Sequence, residues 1–288
     1  MAVDARRVEG FTLADAWRTF RTAIGLGWAI ESNWSDPFLF GVYTLAKPLS
    51  AALILVLMYQ VITGGSSPEF LQFLVIGSAL WNVVFGVMSG LVMSILEDRE
   101  RYRMIRYVVV TPTSLFPFLL GRGLARVLIS LVAVGITLLV GVLLLGVHLQ
   151  PNLVMLVPAT VIGLLAVIAL GIFMAGLCLQ LRQEAWHYPE AIAGALYLVS
   201  GAIFPVDILP SFVRPLAYAF PTTWWLEASR RGLLGHGAPG AMAQLGDGTV
   251  LLLLLGTTAV VIPIALVGFA LFIRRARQLG ILDMITGT

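Results

Sequence analysis

The chain predicts an all-α integral membrane protein with six transmembrane helices, and three observations predict it. Of its 288 residues 59% are hydrophobic and 11% charged, with a mean hydropathy of +0.95. That balance leaves too little polar surface to cover a water-soluble domain. Apolar runs at 39–62, 70–96, 115–147, 153–181 and 250–273 each exceed the roughly 20 residues that cross a bilayer as helix. A sixth run begins near Ala191 and is interrupted at Phe204. It covers about 14 residues, roughly 21 Å of helical rise, short of the ~30 Å hydrocarbon core.

Residues 1–36 form a cytoplasmic tail and a helix of a different pattern, and 37–288 form the six-span domain. In the first part Leu13, Trp17, Phe20, Ile24 and Trp28 recur at helical spacing, with Asp15, Arg18, Arg21 and Thr22 on the other side. Thr12 and Asp15 make a capping signature. Such an amphipathic helix suits the inner membrane interface, tryptophans at headgroup depth and arginines toward lipid phosphate. Residues 1–30 mix acids and arginines without a compact apolar core, so no cleavable signal peptide is expected.

Inside the first span Lys47 precedes Pro48. An ammonium at the bilayer centre costs roughly 2.5–3.5 kcal/mol, so Lys47 either pairs within protein or reaches a substrate or lipid headgroup.

Between the second and third spans lies LEDRERYRMIRYVVVTPTSL. A helix over about 97–110 places Arg99, Arg103 and Arg106 on one face and Glu97 four residues before Arg101. Tyr102, Ile105 and Val109 form an adjoining apolar stripe, and Pro112 stops the helix. The segment is either a docking face or the arginine-rich loop that any inward-facing connection carries.

Catalytic and metal chemistry find little footing. Cys178 stands alone in an apolar run, which excludes a disulfide or a cysteine-based metal site within one chain. Glu184, His187 and Glu190 cluster before the interrupted span, where a cytoplasmic contact or solvated turn is favoured over metal binding. No HExxH, nucleophile elbow or phosphate loop of the form GxxxxGK[ST] occurs. The chain is therefore read as no enzyme, with no directly bound cofactor and no metal. Its pI of 9.3 comes without an aromatic-interleaved basic face, so no nucleic-acid partner is implied.

The stretch FPVDILPSFVRPLAYAFPTTWW, residues 204–225, carries prolines at 205, 210, 215 and 221. Proline allows only brief helical pieces, and broken backbone at membrane depth survives only inside protein or beside a wet cavity. A re-entrant helical hairpin over about 205–231, between the fifth and sixth spans, satisfies both limits. Phe204, Pro205, Pro210, Phe212, Phe220 and Pro221 are its candidate external-gate residues, with a passive outer cap as the alternative. Asp207, Arg214, Glu227 and Arg230 are expected to reach the outer headgroups, and Trp224 and Trp225 to sit at the same interface.

With six spans, every basic residue falls on one side except Lys47, Arg214, Arg230 and Arg231. Both termini are therefore expected in the cytoplasm, the protein being multi-pass in the cell membrane.

Two segments resemble the type-2 ATP-binding-cassette (ABC) exporter permeases. The first is 200–235, through Ser200, Gly201, Phe204, Pro205, Leu209, Pro210, Pro221 and Arg230 or Arg231. The second is 97–126, through a glutamate, basic residues, a Thr-Pro and a following Gly-Arg. The resemblance implies a half-transporter. Two permease subunits, by default a homodimer, would stand in membrane lipid with two copies of a cognate ABC ATPase that holds ATP and Mg. It further implies a cytoplasmic coupling helix at about 97–110, its ATPase-coupling residues being Glu97, Arg99, Tyr102, Arg103, Ile105 and Arg106. The function implied is ATP-driven export of an amphipathic or lipid-like substrate (drug, lipid or glycan) by alternating access. An ion-coupled secondary transporter or channel is the alternative; it would be expected to carry ionisable residues deep in several spans.

Overall fold

Helix boundaries in the computed structural model follow local side-chain chemistry. Helix α2 (Pro37–Thr63) opens with Pro37 in its first turn and the Asp36 carboxylate accepting from the Phe38 N–H at 2.8 Å. It closes on Gly64, whose φ of 61° returns its N–H to the Gln60 carbonyl. Helix α5 (Leu153–Cys178) opens on Asn152, whose side chain accepts from the Val154 N–H at 3.1 Å. The remaining helices are α1 (Leu13–Ser32), α3 (Pro68–Glu100), α4 (Leu115–Leu145), α6 (Tyr188–Val199), α7 (Arg214–Ala219), α8 (Pro221–Leu234) and α9 (Asp247–Leu279). Single 3-10 turns occupy Val206–Ile208 and Ala241–Gln244. The structure describes residues 13–32, 36–65, 67–100, 102, 104–105, 115–181, 185, 187–237 and 241–281.

Among the described residues α3, α4, α5 and α9 are long and apolar enough to cross a membrane. Helix α2, at 27 residues, rises about 40 Å. Helix α3 is the axis of the bundle: its most apolar 18 residues are 78% buried, against 22–33% for α4, α5 and α9. The other three leave leucine- and valine-rich faces outward, such as Leu139 and Leu143, Val154 and Val161, or Leu252 and Leu255. Such faces are stable only against lipid or another apolar surface.

Small residues set the register of the bundle. A Cβ built on Gly90 would meet Arg126 Cγ at 2.8 Å, one on Gly86 Ser130 Oγ at 2.5 Å, and one on Gly141 Val75 Cγ1 at 2.8 Å. Helices α3 and α4 are thus antiparallel and close along most of their length. Gly171 of α5 lies against Leu91 and Met88, and Gly176 against Phe269 and Phe272 of α9. One end of the bundle therefore gathers the end of α2, the start of α3, the α4–α5 turn, the stretch 200–237 and the start of α9. The other end gathers the ends of α3, α5 and α9 and the starts of α4 and α6.

Helix α1 docks differently from the pattern of its large residues. Trp17 is 63% exposed and Trp28 50%, while Ala23 and Gly27 are buried. The packed face is the small one: a Cβ on Gly121 of α4 would lie 2.5 Å from the Phe20 carbonyl oxygen and 2.6 Å from Ala23 Cβ, and one on Gly27 3.0 Å from Ala125 Cβ. Moving from Ala23 to Gly27 carries the contact from Gly121 to Arg122 and Ala125, so α1 lies along the first turns of α4.

Candidate functional site

Helix α6 stops at Val199, and its end creates the problem that the rest of the site solves. Gly201, at φ 75°, turns the chain away and leaves the carbonyls of Gly201 and Ala202 buried without helical donors. Arg230 of α8 supplies them: its Nη2 donates to Gly201 O at 2.8 Å and Ala202 O at 3.1 Å. The same guanidinium lies 3.7 Å from the Phe73 ring centroid. Gly77, one turn further along α3, leaves the space: a Cβ there would collide with the Ala202 carbonyl oxygen and meet Arg230 Nη2 at 2.5 Å.

All fourteen residues of α8 are buried, even though Thr222, Thr223, Glu227, Ser229, Arg230 and Arg231 among them are polar. Proline at its first position starts it, Gly235 in the left-handed region ends it, and Trp225 fills the space over Gly163 of α5. Most of its polar groups are paired inside the protein, although Trp225 Nε1, Ser229 Oγ and Arg230 Nε find no hydrogen-bond partner among the described residues. Arg231 Nε donates to Glu227 Oε1 at 2.8 Å, Nη1 to Asp247 Oδ1 at 2.8 Å and to Leu245 O at 2.7 Å, and Nη2 to Met242 O at 2.6 Å. That one guanidinium ties α8 to the start of α9. The hydroxyls of Ser200 and Thr222 are 3.0 Å apart. Thr223 Oγ1 donates to Ala217 O at 2.7 Å and Trp224 Nε1 to Tyr218 O at 2.8 Å, fixing α7 on α8.

The proline-broken segment has its own internal ties. Arg214 donates through Nε to Leu209 O at 2.8 Å and through Nη2 to Asp207 O at 2.6 Å. Val206 and Ala217 are buried in a small cluster with Met242, with Leu209 and Tyr218 packed on it, whereas Phe212 is 82% exposed and Ile208 70%.

The sequence expectation for this region needs a correction. The prolines do confine helix to short pieces, the 3-10 turn at Val206–Ile208 and α7, and α8 begins at Pro221. Glu227, Arg230, Trp224 and Trp225, however, are 1%, 3%, 5% and 1% exposed. They face protein and do not reach a headgroup layer, because α8 is enclosed by α3, α5 and α9. Of the proposed gate residues, Phe204, Pro205 and Phe220 are half-buried, Pro210 and Phe212 exposed, and Pro221 buried. Gly77, Gly163 and the Arg231–Asp247 pair had not been singled out; the signals available were glycines inside apolar runs and the i, i+4 spacing of Glu227 and Arg231.

At the opposite end, charge collects where α3, α4 and α5 meet. Among the described residues the expected helix over 97–110 is interrupted: α3 ends at Glu100 and Tyr102 lies in a bend, its N–H donating to Glu97 O at 2.9 Å, with Met104 N–H to Asp98 O at 2.7 Å; residues 101, 103 and 106–110 lie outside the described residues. Glu97 and Arg99 thus belong to the last turns of α3. Arg99 turns inward, its Nη2 2.6 Å from Glu100 Oε1 and its Nη1 donating to Leu179 O at 3.4 Å. Arg122 of α4 is 2% exposed and stands 3.6 Å from Asp98 Oδ1 and 3.8 Å from Glu97 Oε2. Tyr102 is exposed and Ile105 buried. Arg103 and Arg106, like Thr12, Arg101, Pro112 and Glu184, lie outside the described residues; Lys47 lies in α2, its side chain outside the description. His187 and Glu190 are exposed.

Comparison with protein families matches residues 26–234 to the model described as ABC-2 type transporter. The match runs from the second half of α1 to the last residue of α8. No curated protein matches the chain.

Proposed function

The chain belongs to the ABC-2 type transporter family, and from that premise we propose that it is the permease subunit of an ATP-driven exporter. In this reading α2, α3, α4, α5, α6 with its returning segment, and α9 are the six spans. The end bearing Arg99, Arg122, Arg126, Arg274, Arg275 and Arg277 faces the cytoplasm. Helix α1 lies in the inner interface, its exposed tryptophans toward lipid.

The observation that carries the reading is α8. Helix α6 has 12 residues, about 18 Å of rise, too few to cross. The chain then breaks, and its freed carbonyls are paired by an arginine from a helix enclosed on all sides. That is how irregular backbone survives at membrane depth, and it supports a re-entrant hairpin in the outer half of the membrane. Within it α8 acts as a fixed pillar. The segment 203–220, which exposes Phe212 and Ile208, is the gate, with Phe204, Pro205, Pro210, Phe220 and Pro221 shaping it.

Energy comes from a separate ABC ATPase, two copies serving two permease subunits, with ATP and Mg held by the ATPase. Its docking site is the turn after Glu100, through Tyr102, Arg103 and Arg106, with Ile105, Glu97 and Arg99 joining that turn to the bundle. ATP shifts the permease between inward- and outward-open arrangements by binding one of them more tightly. Apolar helix faces along the path favour an amphipathic or lipid-like cargo.

Co-expression with a cognate ABC ATPase tests the reading. The expected result is a co-purifying complex that hydrolyses ATP, while the permease alone hydrolyses none. Hydrolysis by the isolated chain, or no association with the ATPase, would overturn it.

A further inference from the structure

Where the first turns of α4 approach the last turns of α9, the helices leave a groove of about 400 Å³. Leu115, Phe116, Leu266, Phe269, Ala270 and Ile273 form its walls, and Arg274 and Arg277 its rim. The volume lies within the ~300–1,000 Å³ of small-molecule sites. The chemistry of the groove is divided. Its walls are wholly apolar and include the Phe116 and Phe269 rings, 6.5 Å apart. Its rim carries two positive charges and no acid. Neither arginine has a hydrogen-bond or ion-pair partner among the described residues. The helix end makes no demand on them either, because the Gly280 N–H already caps Ala276 and Arg277.

We propose that this groove is a binding site for an anionic phospholipid, one acyl chain lying along Phe116, Leu266 and Ala270 and the phosphate resting between Arg274 and Arg277. Charge complementarity selects the occupant. A zwitterionic headgroup satisfies two guanidiniums less well than a net negative one, and an apolar chain fills walls that water cannot satisfy. Arg275, between them in sequence and also exposed, does not line the groove. It is therefore the internal control for charge without the site. The inference needs the chain to be in a bilayer but not the transport cycle, so it can fail while the exporter reading stands.

The test is lipid retention by the purified chain in nanodiscs that mix phosphatidylglycerol and phosphatidylcholine, read by native mass spectrometry after release. Wild type is expected to retain phosphatidylglycerol preferentially. Arg274→Gln or Arg277→Gln should each weaken that preference about fivefold and the double variant roughly 30-fold, whereas Arg275→Gln leaves it near wild type. Ala270→Phe, which fills the groove and keeps both charges, should also abolish it. Equal losses from all three arginine variants with no effect of Ala270→Phe would reduce the site to general surface charge and overturn the proposal. So would full displacement by inorganic phosphate, which needs no acyl groove, or a disulfide between two copies bearing Ala270→Cys in a Cys178→Ala background, which would make the groove a subunit contact.

Discussion

Arg230 lies over the ring of Phe73 at 3.7 Å and at once donates to the carbonyls of Gly201 and Ala202. One side chain thereby joins α3, the broken end of α6 and α8. Replacing it by methionine keeps much of the volume but strands two buried carbonyls, with an expected loss of ~3 kcal/mol in unfolding free energy. Lysine should recover only part, since an ammonium lacks the planar fork. Thermal unfolding in a fixed detergent checks the order wild type, lysine, methionine.

The glycines facing α8 make a second prediction. Gly77→Ala meets backbone at Ala202 and Gly163→Ala meets the Trp225 ring, each expected to cost about 1–3 kcal/mol through overpacking. Gly194 of α6 has nothing within 4 Å, so Gly194→Ala should be neutral or stabilise by roughly 0.5–1 kcal/mol. Equal behaviour of the three in the same unfolding assay would contradict the packing described.

Burial also separates the two carboxylates on Arg231. Glu227 is 1% exposed and Asp247 60% by side chain. Glu227→Gln, which removes a buried partner, should cost ~3–5 kcal/mol. Asp247→Asn should cost about 0–1 kcal/mol. Denaturant titrations of the two variants measure the difference directly.

The long helices were legible because apolar length alone decides them, and the prolines fixed where helix must be brief. The interior of the site was not. Glu227, Arg230, Trp224 and Trp225 are residue types whose usual place in a membrane protein is the headgroup layer, and nothing local marks them as enclosed. Their burial depends on Gly77 and Gly163, more than 60 residues away in sequence, and on carbonyls freed only once α6 stops. On α1 the pattern of large residues marked the side that stays exposed, Trp17 and Trp28 included, but not the packed side, because close approach of two helices favours Ala23 and Gly27, as the contacts with Gly121 and Ala125 show.

For coupling, Tyr102→Ala with Arg103→Glu and Arg106→Glu should leave membrane insertion intact and uncouple ATP hydrolysis from transport, or release the ATPase. Single exposed charges contribute only ~0–1 kcal/mol, so each change alone should be mild. Pull-down of the ATPase and its hydrolysis rate in proteoliposomes report both outcomes.

The central claim is that ATP bound by a separate subunit moves the outer segment of this chain. Phe212, exposed at the far end of the bundle from Tyr102, is the place to read it. With the buried Cys178 replaced by alanine, Phe212→Cys in the assembled complex should react with a membrane-impermeant thiol reagent from outside. Its rate should change when the ATPases are trapped with ATP. A rate indifferent to the nucleotide, or labelling only from the cytoplasmic side, would contradict the account.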